Sequence, residues 1–229
     1  MNDAQEYALP LVVRLERDAP PALTDALETA ARAVLTLLAD ERAAGDDGEW
    51  ADAVRLWEES AIRKVVRRAR GAEWRRAEAL PGITVPGRTA SVRVFPPVPV
   101  DSWPKDLARL QVSGTDLTDT QPPASPDSGL PVLWMAPRLE MSAGKAMAQA
   151  AHGAQLAWWD LSAADRTDWA GSHFALAVRP APGTAEWARL VRSGLPVVRD
   201  AGFTEIAAGT CTVVADHPAL RRPEAQVRL

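Results

Sequence analysis

The sequence alternates short apolar runs with amphipathic helical segments, once on each side of a segment whose composition disfavours a core. That segment, residues 116–129 (DLTDTQPPASPDSG), is rich in Pro, Ser, Asp and Thr and is predicted to be a linker that contributes nothing to a core. Dense alternation of strand-like and helix-like segments is typical of layered α/β domains with a partly parallel sheet. The pattern therefore predicts two α/β domains, at residues 1–115 and 130–229.

The C-terminal half carries the simpler pattern. Four short apolar runs are suited to buried strands: residues 131–136, 173–179, 196–199 and 210–215. Between the first two, a helix is predicted from an N-cap at Ser142 through an Ala-rich stretch to Trp159. A second, amphipathic helix is predicted at residues 183–193, which completes an alternating α/β order.

The N-terminal half repeats this order. Four of its segments match segments of the C-terminal half: residues 9–15 with 130–136, 23–38 with 142–159, 62–76 with 174–189, and 89–95 with 210–215. Residues 72–74 and 185–187 share the tripeptide Ala-Glu-Trp. We interpret the match as an internal duplication, and two unrelated α/β domains of similar composition are the alternative.

The charge of the chain is uneven. Its formal net charge of −4 does not suggest a general nucleic-acid binder. A local cluster nevertheless contains eight basic residues: Arg55, Arg63, Lys64, Arg67, Arg68, Arg70, Arg75 and Arg76. Only Glu58, Glu59 and Glu73 interrupt it. The cluster is either a solvated helix face or a patch that contacts phosphates.

Several classes of protein are disfavoured by what the sequence lacks. No apolar run approaches the ~18 residues that cross a bilayer. Residues 1–6 carry Asp3 and Glu6 but no Lys or Arg, unlike a secretory signal, so a cytoplasmic protein is expected. Cys211 has no cysteine partner and is expected to be a buried structural thiol. With three His and one Cys, no spacing resembles a metal site, and no cofactor is expected.

One group of polar residues in the C-terminal half is arranged as a site would be. Lys145, Gln149 and His152 share one face near the start of the predicted helix, where unpaired N–H groups favour a phosphate or an oxyanion. Asp200 follows a short strand, at the end where ligands bind in open α/β sheets. A strand-end carboxylate could therefore face a helix-start ammonium. From the residues alone, a solvated lysine, a core histidine and an Asp in a turn remain alternatives.

Two blocks of this half resemble a known family. The pattern GK-x-x-x-Q-x-x-HG at residues 144–153, followed by GLP-x-x-RDAG-x-TEI-x-x-GT-x-T at residues 194–212, is similar to the signature blocks of the bacterial/archaeal-type peptidyl-tRNA hydrolase 2 family. The resemblance implies a mixed four-stranded sheet flanked by helices. It also implies metal-free hydrolysis of the ester that joins a peptide to tRNA, with tRNA as the partner.

The same resemblance assigns roles to individual residues. Lys145 and Asp200 match the family's essential lysine and aspartate. Thr210 matches a threonine implicated in activity, and Thr204 is a nearby hydroxyl in the same block. Substrate-binding positions are predicted at Gln149, His152, Gly144 and Gly202, and contacts with the tRNA backbone at Arg67, Arg68, Arg75 and Arg76.

The sequence also departs from the family. Arg138 stands where an acidic residue is usual, and the N-terminal half is an addition to a fold that is typically one domain. In that half the lysine position falls near Asp25 and the histidine position near Arg32, and no Asp-Ala-Gly occurs near residues 84–89.

The N-terminal half is thus predicted to be a degenerate copy of the same fold. The chain would be a monomeric pseudo-dimer or a homodimer. A non-catalytic module that binds tRNA or a protein, and an enzyme for a different aminoacyl or peptidyl ester, remain alternative functions.

Overall fold

The computed structural model describes residues 5–202 and 205–221, which form two sheets and the helices that cover them. The N-terminal half has strands β1 (Tyr7–Arg14), β2 (Arg63–Ala69), β3 (Ile83–Pro86), β4 (Ser91–Val94) and β5 (Val98–Pro99). Its helices are α1 (Leu23–Ala39), α2 (Glu41–Ala44), α3 (Ala51–Glu58), α4 (Gly71–Glu78) and α5 (Lys105–Ala108). The C-terminal half has strands β6 (Val132–Met135), β7 (Ala177–Pro180), β8 (Val197–Arg199) and β9 (Cys211–Asp216). Its helices are α6 (Ala143–Asp160), α7 (Ala163–Gly171) and α8 (Thr184–Val191), followed by a 3-10 turn at Pro218–Leu220.

Helix α6 forms where the sequence predicts it, and its start is fixed by a cap. The Ser142 hydroxyl accepts a hydrogen bond from the Lys145 main-chain N–H, which satisfies one of the free donors of the first turn. Farther along, Gly153 lets the helix lie close to its sheet. A Cβ at that position would stand 2.7 Å from Val213 Cγ1, closer than real Cβ contacts come.

The two sheets have the same strand order. The order is β2-β1-β4-β3 in the N-terminal sheet, where β5 also pairs with β1, and β7-β6-β9-β8 in the C-terminal sheet. In the N-terminal sheet β1 and β2 pair in parallel, and in the C-terminal sheet β6 and β7 do the same. The other neighbouring pairs in these two orders are antiparallel. The prediction of mixed α/β sheets flanked by helices is therefore confirmed, and the tandem arrangement fits a duplication.

Strand pairing also shows which residues correspond. Leu11 pairs with Val66 and Val94, and Leu133 pairs in the same way with Val178 and Ala215. The sequence match of residues 62–76 with 174–189 keeps this register in the strand, and the C-terminal segment has one more residue before the shared Ala-Glu-Trp. The match of residues 9–15 with 130–136 is wrong by one residue, because the Leu-Pro pair on which it was aligned lies inside β1 at residues 9–10 but precedes β6 at residues 130–131.

The two halves meet through their long helices. Helices α1 and α6 pack against each other, α1 also contacts β7, and α6 contacts β2. These two contacts are reciprocal, because β2 and β7 are equivalent strands, as expected for a pair related by a two-fold axis. The helices can approach closely because many of their buried residues are small: Ala26, Ala30, Ala31, Ala33, Ala143, Ala146, Ala150, Ala151, Ala154 and Ala157.

The predicted linker forms no helix or strand at residues 116–129, yet it is held to the N-terminal half. Asp119 accepts hydrogen bonds from the Thr24 main-chain N–H at 3.0 Å and from its hydroxyl at 2.6 Å. The expectation that nothing in this segment joins a core is wrong at Leu117, whose side chain packs in the main apolar cluster. The composition correctly predicted that this segment forms no helix or strand, but the side chain of Leu117 fixes it to the apolar core.

Across the part of the chain that the structure describes, every helix is too short or too polar to traverse a bilayer.

Candidate active site

The sheet topology brings the predicted lysine and aspartate together. Strands β6 and β8 are both antiparallel to β9 and are therefore parallel to each other. Helix α6 follows β6 and Asp200 follows β8, so both lie at the same end of the sheet. Lys145 Nζ is 2.5 Å from Asp200 Oδ2, with the two side chains 14% and 3% exposed. An ion pair this buried makes a strong local field.

Three donors hold the Asp200 carboxylate. Oδ2 accepts from Lys145 and from Gln149 Nε2 at 2.8 Å, and Oδ1 accepts from the Gly202 main-chain N–H at 2.8 Å. Gly202 must be glycine, because its φ is +82° and a Cβ there would be 2.8 Å from the Ala208 side chain. A carboxylate has about four acceptor sites, so one remains for a water or a substrate group.

A second polar pair lies behind this carboxylate. The Thr212 hydroxyl donates to Gln149 Oε1 at 2.5 Å, which turns the amide nitrogen of Gln149 toward Asp200. Thr212 has no exposed surface. The role of Thr212 was not predicted from the sequence, although a hydroxyl inside the apolar run of β9 could have indicated it.

The N-terminal end of α6 is occupied by the carboxylate of Glu205. Glu205 accepts from the Ser142 main-chain N–H at 2.8 Å and from the Ser142 hydroxyl at 2.7 Å. These two hydrogen bonds lower the pKa of Glu205. The phosphate or oxyanion that the sequence placed at this helix terminus would therefore meet a carboxylate, and Lys145 is the group that remains for a negative charge.

The Lys145–Asp200 pair lies in a cleft of about 810 Å³ between the two halves. The C-terminal half contributes α6 and the residues after β8, and the N-terminal half contributes β2 and residues 112–114. The lining includes six of the predicted site residues: Arg67, Gly144, Lys145, Gln149, His152 and Asp200. The cleft is thus an interdomain cleft, which the sequence did not predict.

The N-terminal half places a partly buried lysine in the cleft. Lys64 Nζ donates to Gln155 Oε1 at 2.5 Å and lies 4.8 Å from the centre of the Trp57 ring. Burial lowers the pKa of Lys64 well below its ordinary value. Burial, followed by the charges of Lys64 and Lys145, lowers the pKa of His152 to about 2. His152 is therefore a neutral imidazole at physiological pH. The sequence did not predict that Lys64 and Gln155 would lie at the cleft.

The part of the chain that carries Lys145 and Asp200 matches a known protein family. The family model of peptidyl-tRNA hydrolase PTH2 matches residues 132–227. The PTH2 match contains Lys145 and Asp200 and confirms the resemblance found in the sequence for the C-terminal half. No curated protein and no solved structure matched the chain.

The two predicted threonines of the PTH2 region have different outcomes. Thr204 lies outside the described residues. Thr210 ends the loop after Asp200, and its carbonyl accepts a hydrogen bond from the Asp200 N–H at 2.9 Å. In the described part of the chain Thr210 is not among the residues that line the cleft. Its catalytic role therefore stays a prediction.

The four predicted tRNA-contacting arginines do not form one surface. Arg67 Nη1 donates to the carbonyls of residues 108 and 110 while its guanidinium stacks on Trp103, and Arg68 binds Ser113 O and the Gln111 side chain. Arg75 and Arg76 are exposed on α4, where Arg76 is 3.5 Å from Asp106. Arg67 and Arg68 thus hold the chain that follows α5, whereas Arg75 and Arg76 face solvent.

The N-terminal half has helix and strand positions that correspond to those of the site, but it does not have the site's ionisable residues. Counting from the helix starts and along the hairpins, three pairs of positions correspond: Asp25 with Lys145, Thr29 with Gln149, and Gly87 with Asp200. The lysine is replaced by an acid and the aspartate by a glycine. This outcome fits the prediction of a degenerate copy without a site.

Asp25 stabilises a turn in place of that site. Its carboxylate accepts main-chain hydrogen bonds from Arg88, Thr89 and Ala90 at 3.2, 2.5 and 2.8 Å. Only residues 88 and 89 lie between Gly87 and Ala90, whereas nine residues separate Asp200 from Thr210. The loop that surrounds Asp200 in the PTH2 region has no counterpart in the N-terminal half.

The described residues offer no obvious metal site. Among residues 5–202 and 205–221, no three His, Cys, Asp or Glu side chains converge as metal ligands would.

Proposed function

We propose that this protein hydrolyses the ester bond of peptidyl-tRNA and releases a peptide and free tRNA. The observation that carries the proposal is the buried Lys145–Asp200 pair, 2.5 Å apart, in an open cleft within the region that matches PTH2. Buried ion pairs are costly unless other groups satisfy them, and Gln149 and Gly202 do so here. Such an arrangement favours a functional role.

Asp200 is the group that we assign to the attacking water. Its remaining acceptor site can orient a water molecule and take a proton from it as the oxygen attacks the ester carbonyl. An ammonium that donates to Asp200 has no lone pair to accept that proton. The bond between the carbonyl carbon and the ribose oxygen then breaks, and the ribose oxygen leaves with a proton.

Lys145 is the group that we assign to the developing oxyanion. One of its three N–H donors binds Asp200, which leaves two for a tetrahedral intermediate. Neutral His152, on the same helix face, can hydrogen-bond the substrate without adding a charge. Thr210 and Thr204 would act from the loop after Asp200 as the resemblance implies.

The N-terminal half would complete the substrate site. It supplies one wall of the cleft, and Arg75 and Arg76 on exposed α4 are available for tRNA phosphates. The helix contacts of the two halves would give one chain the pairing of a dimer, so a monomer is the expected state. An enzyme of this function would act in the cytoplasm, where translation supplies its substrate.

A non-catalytic tRNA-binding module is the second candidate. The N-terminal half favours it, because that half keeps the strand order while Asp25 and Gly87 replace the ion pair. Release of the labelled aminoacyl group from N-acetyl-aminoacyl-tRNA, with a chelator present, tests the choice. Multiple turnovers support the hydrolase, and binding of the intact substrate without release supports the module.

A further inference from the structure

Helix α6 presents a stripe of four residues to the interdomain cleft. Lys145, Ala148, His152 and Trp159 all line the cleft, and all keep some exposed surface. Their spacing of three, four and seven residues places them on one face of the helix. Residues 60–64 of the N-terminal half line the same cleft, and the first two of them are exposed. We call the space between this stripe and residues 60–64 the α6 groove.

Contacts farther along α6 show that the α6 groove follows the helix. Lys64 Nζ donates to Gln155 Oε1 at 2.5 Å, and Trp159 Nε1 donates to Glu58 Oε1 at 3.0 Å. Trp159 is 14 residues after Lys145, so the groove is about 21 Å long. The ring of Trp159 is held through its own nitrogen and is therefore a rigid apolar contact at the far end.

The α6 groove carries little positive charge beyond its catalytic end. Burial lowers the pKa of Lys64 well below its ordinary value, and burial is also the largest cause that lowers the pKa of His152 to about 2. Glu58 adds a carboxylate near the far end. Arg63 also lines the cleft, but side chains alternate along β2, so Arg63 and Lys64 point to opposite faces of the sheet. A tRNA backbone requires cations, whereas neutral polar groups and apolar surface suit a peptide chain.

The basic residues of the N-terminal half lie toward the other end. Strand β2 and helix α6 run in opposite directions, because the middle of β2 contacts the first turn of α6 and Lys64 reaches Gln155 farther along it. Helix α4 begins two residues after β2 ends, and so toward the Lys145 end of the α6 groove. Its exposed Arg75 and Arg76 favour tRNA at that end. The peptide, on the other side of the ester, then extends along the α6 groove.

We propose that the α6 groove binds the peptide of peptidyl-tRNA, with the esterified residue at Lys145 and the chain directed toward Trp159. The proposal rests on the proposed function. An extended chain rises by about 3.4 Å per residue, so about six residues fill the groove. Because residues 60–64 form one wall, the N-terminal half takes part in binding the peptide and not only in binding tRNA.

Binding should therefore depend on the length of the peptide until the α6 groove is full. The Kd should fall as the peptide grows from one residue to about six, and longer peptides should bind no more tightly. Trp159→Ala should weaken binding of the six-residue peptide about ten-fold and of a single acetylated residue less than about two-fold, because only the longer chain reaches the ring. Leu56→Ala is the control, because Leu56 is apolar, 38% exposed and outside the cleft.

The experiment uses the full chain and tRNA that carries acetylated peptides of one, three, six and nine residues. An amide replaces the ester, so that binding is measured without hydrolysis, and deacylated tRNA is measured beside them. A gain in affinity up to about six residues that Trp159→Ala removes supports the proposal. Equal Kd values at all lengths, or a gain that Trp159→Ala leaves intact, would overturn it, and so would weaker binding of deacylated tRNA by Trp159→Ala. The wild-type series alone tests the groove if Trp159→Ala does not fold.

This readout is separate from the proposed function. Turnover of the ester-linked substrate tests hydrolysis, and the dependence of Kd on length tests the α6 groove. If the esters are not hydrolysed but the dependence is seen, the hydrolase proposal fails and the peptide site stands. If the esters are hydrolysed and Kd does not depend on length, only the peptide site is wrong.

Discussion

The Thr212 hydroxyl donates a 2.5 Å hydrogen bond to Gln149 Oε1, and this contact decides which end of the Gln149 amide faces Asp200. Without it, the amide could turn and present an oxygen to the carboxylate. Thr212 is thus a positioning residue that acts on Asp200 through Gln149.

Replacing Thr212 by Val should lower kcat about five-fold with little change in KM, since the loss of one hydrogen bond of about 1 kcal/mol acts on the placement of Asp200. Thr212→Ser keeps the hydroxyl and should restore most of the rate. Thr167→Val, on the exposed face of α7, is the matched control. Steady-state hydrolysis of N-acetyl-aminoacyl-tRNA measures all three, and equal rates for the Val and Ser variants would refute the positioning role.

Asp25 should matter for stability and not for catalysis. Asp25→Asn places an amide donor against main-chain donors and should cost about 2 kcal/mol of unfolding free energy. Asp52→Asn, whose parent side chain is 92% exposed, should cost almost nothing. Urea unfolding measures the difference. A variant with lost activity and unchanged stability would mean that the N-terminal site is still functional.

The contribution of Asp25 should also depend on pH. Burial acts to raise the pKa of Asp25, but hydrogen bonds from Thr89, Ala90 and Arg88 outweigh it, and the pKa falls below 3.8. A lowered carboxyl pKa stabilises the fold above the unfolded value, and that stability is lost as the pH falls below about 4. The gap in stability between wild type and Asp25→Asn should therefore narrow at pH 3.

His152 should stay neutral across the range in which most histidines titrate. Its pKa of about 2 means that the folded protein does not bind this proton near pH 6.5, whereas the unfolded chain does. Its neutral burial therefore costs stability as the pH falls below about 6.5, at up to about 1.4 kcal/mol per unit. His152→Gln should flatten that slope only in part, because burial also lowers the pKa of His217. Imidazole NMR shifts that move for His152 between pH 5 and 8 would contradict the assignment.

The arginines should separate into two classes. The double variant Arg75→Gln/Arg76→Gln should weaken tRNA binding and reduce the salt dependence of log K by roughly one unit for each phosphate that is no longer neutralised, without changing the melting temperature. Arg67→Gln/Arg68→Gln should lower the melting temperature, because these side chains hold the residues after α5. Arg192→Gln, exposed at the end of α8, is the control. Binding that is unchanged in the first variant would make α4 only a solvated face.

The sequence predicted what local periodicity determines. The C-terminal strands and helices α6 and α8 follow from apolar runs, and the shared face of Lys145, Gln149 and His152 follows from helical spacing. The strand predicted at residues 173–179 is wrong in its first half, because β7 begins at Ala177, and helix α7 was not predicted. The repeated order of elements was visible because both halves carry Ala-Glu-Trp shortly after a similar apolar strand, with one more residue between them in the C-terminal half. The position of Asp25, which corresponds to Lys145, could also be found by counting from the predicted starts of the two long helices.

The rest depends on contacts between distant segments. Thr212 lies 63 positions from Gln149, and Lys64 lies 91 positions from Gln155, so neither pair has a sequence pattern. Glu205 was part of the matched block, but nothing local indicated that it would reach Ser142. The cleft itself exists only because α6 packs on β2 of the other half.

The most direct test of the account is multiple-turnover release of N-acetyl-aminoacyl groups from tRNA, with a chelator present. It compares wild type, Lys145→Ala, Asp200→Asn and the exposed control Lys105→Ala, with folding checked by circular dichroism. We expect wild type and Lys105→Ala to turn over equally. Each site variant should lose at least about 100-fold in kcat/KM, a loss of about 2.7 kcal/mol in transition-state stabilisation. Folded site variants that retain the wild-type rate would contradict the assignment of the site to Lys145 and Asp200.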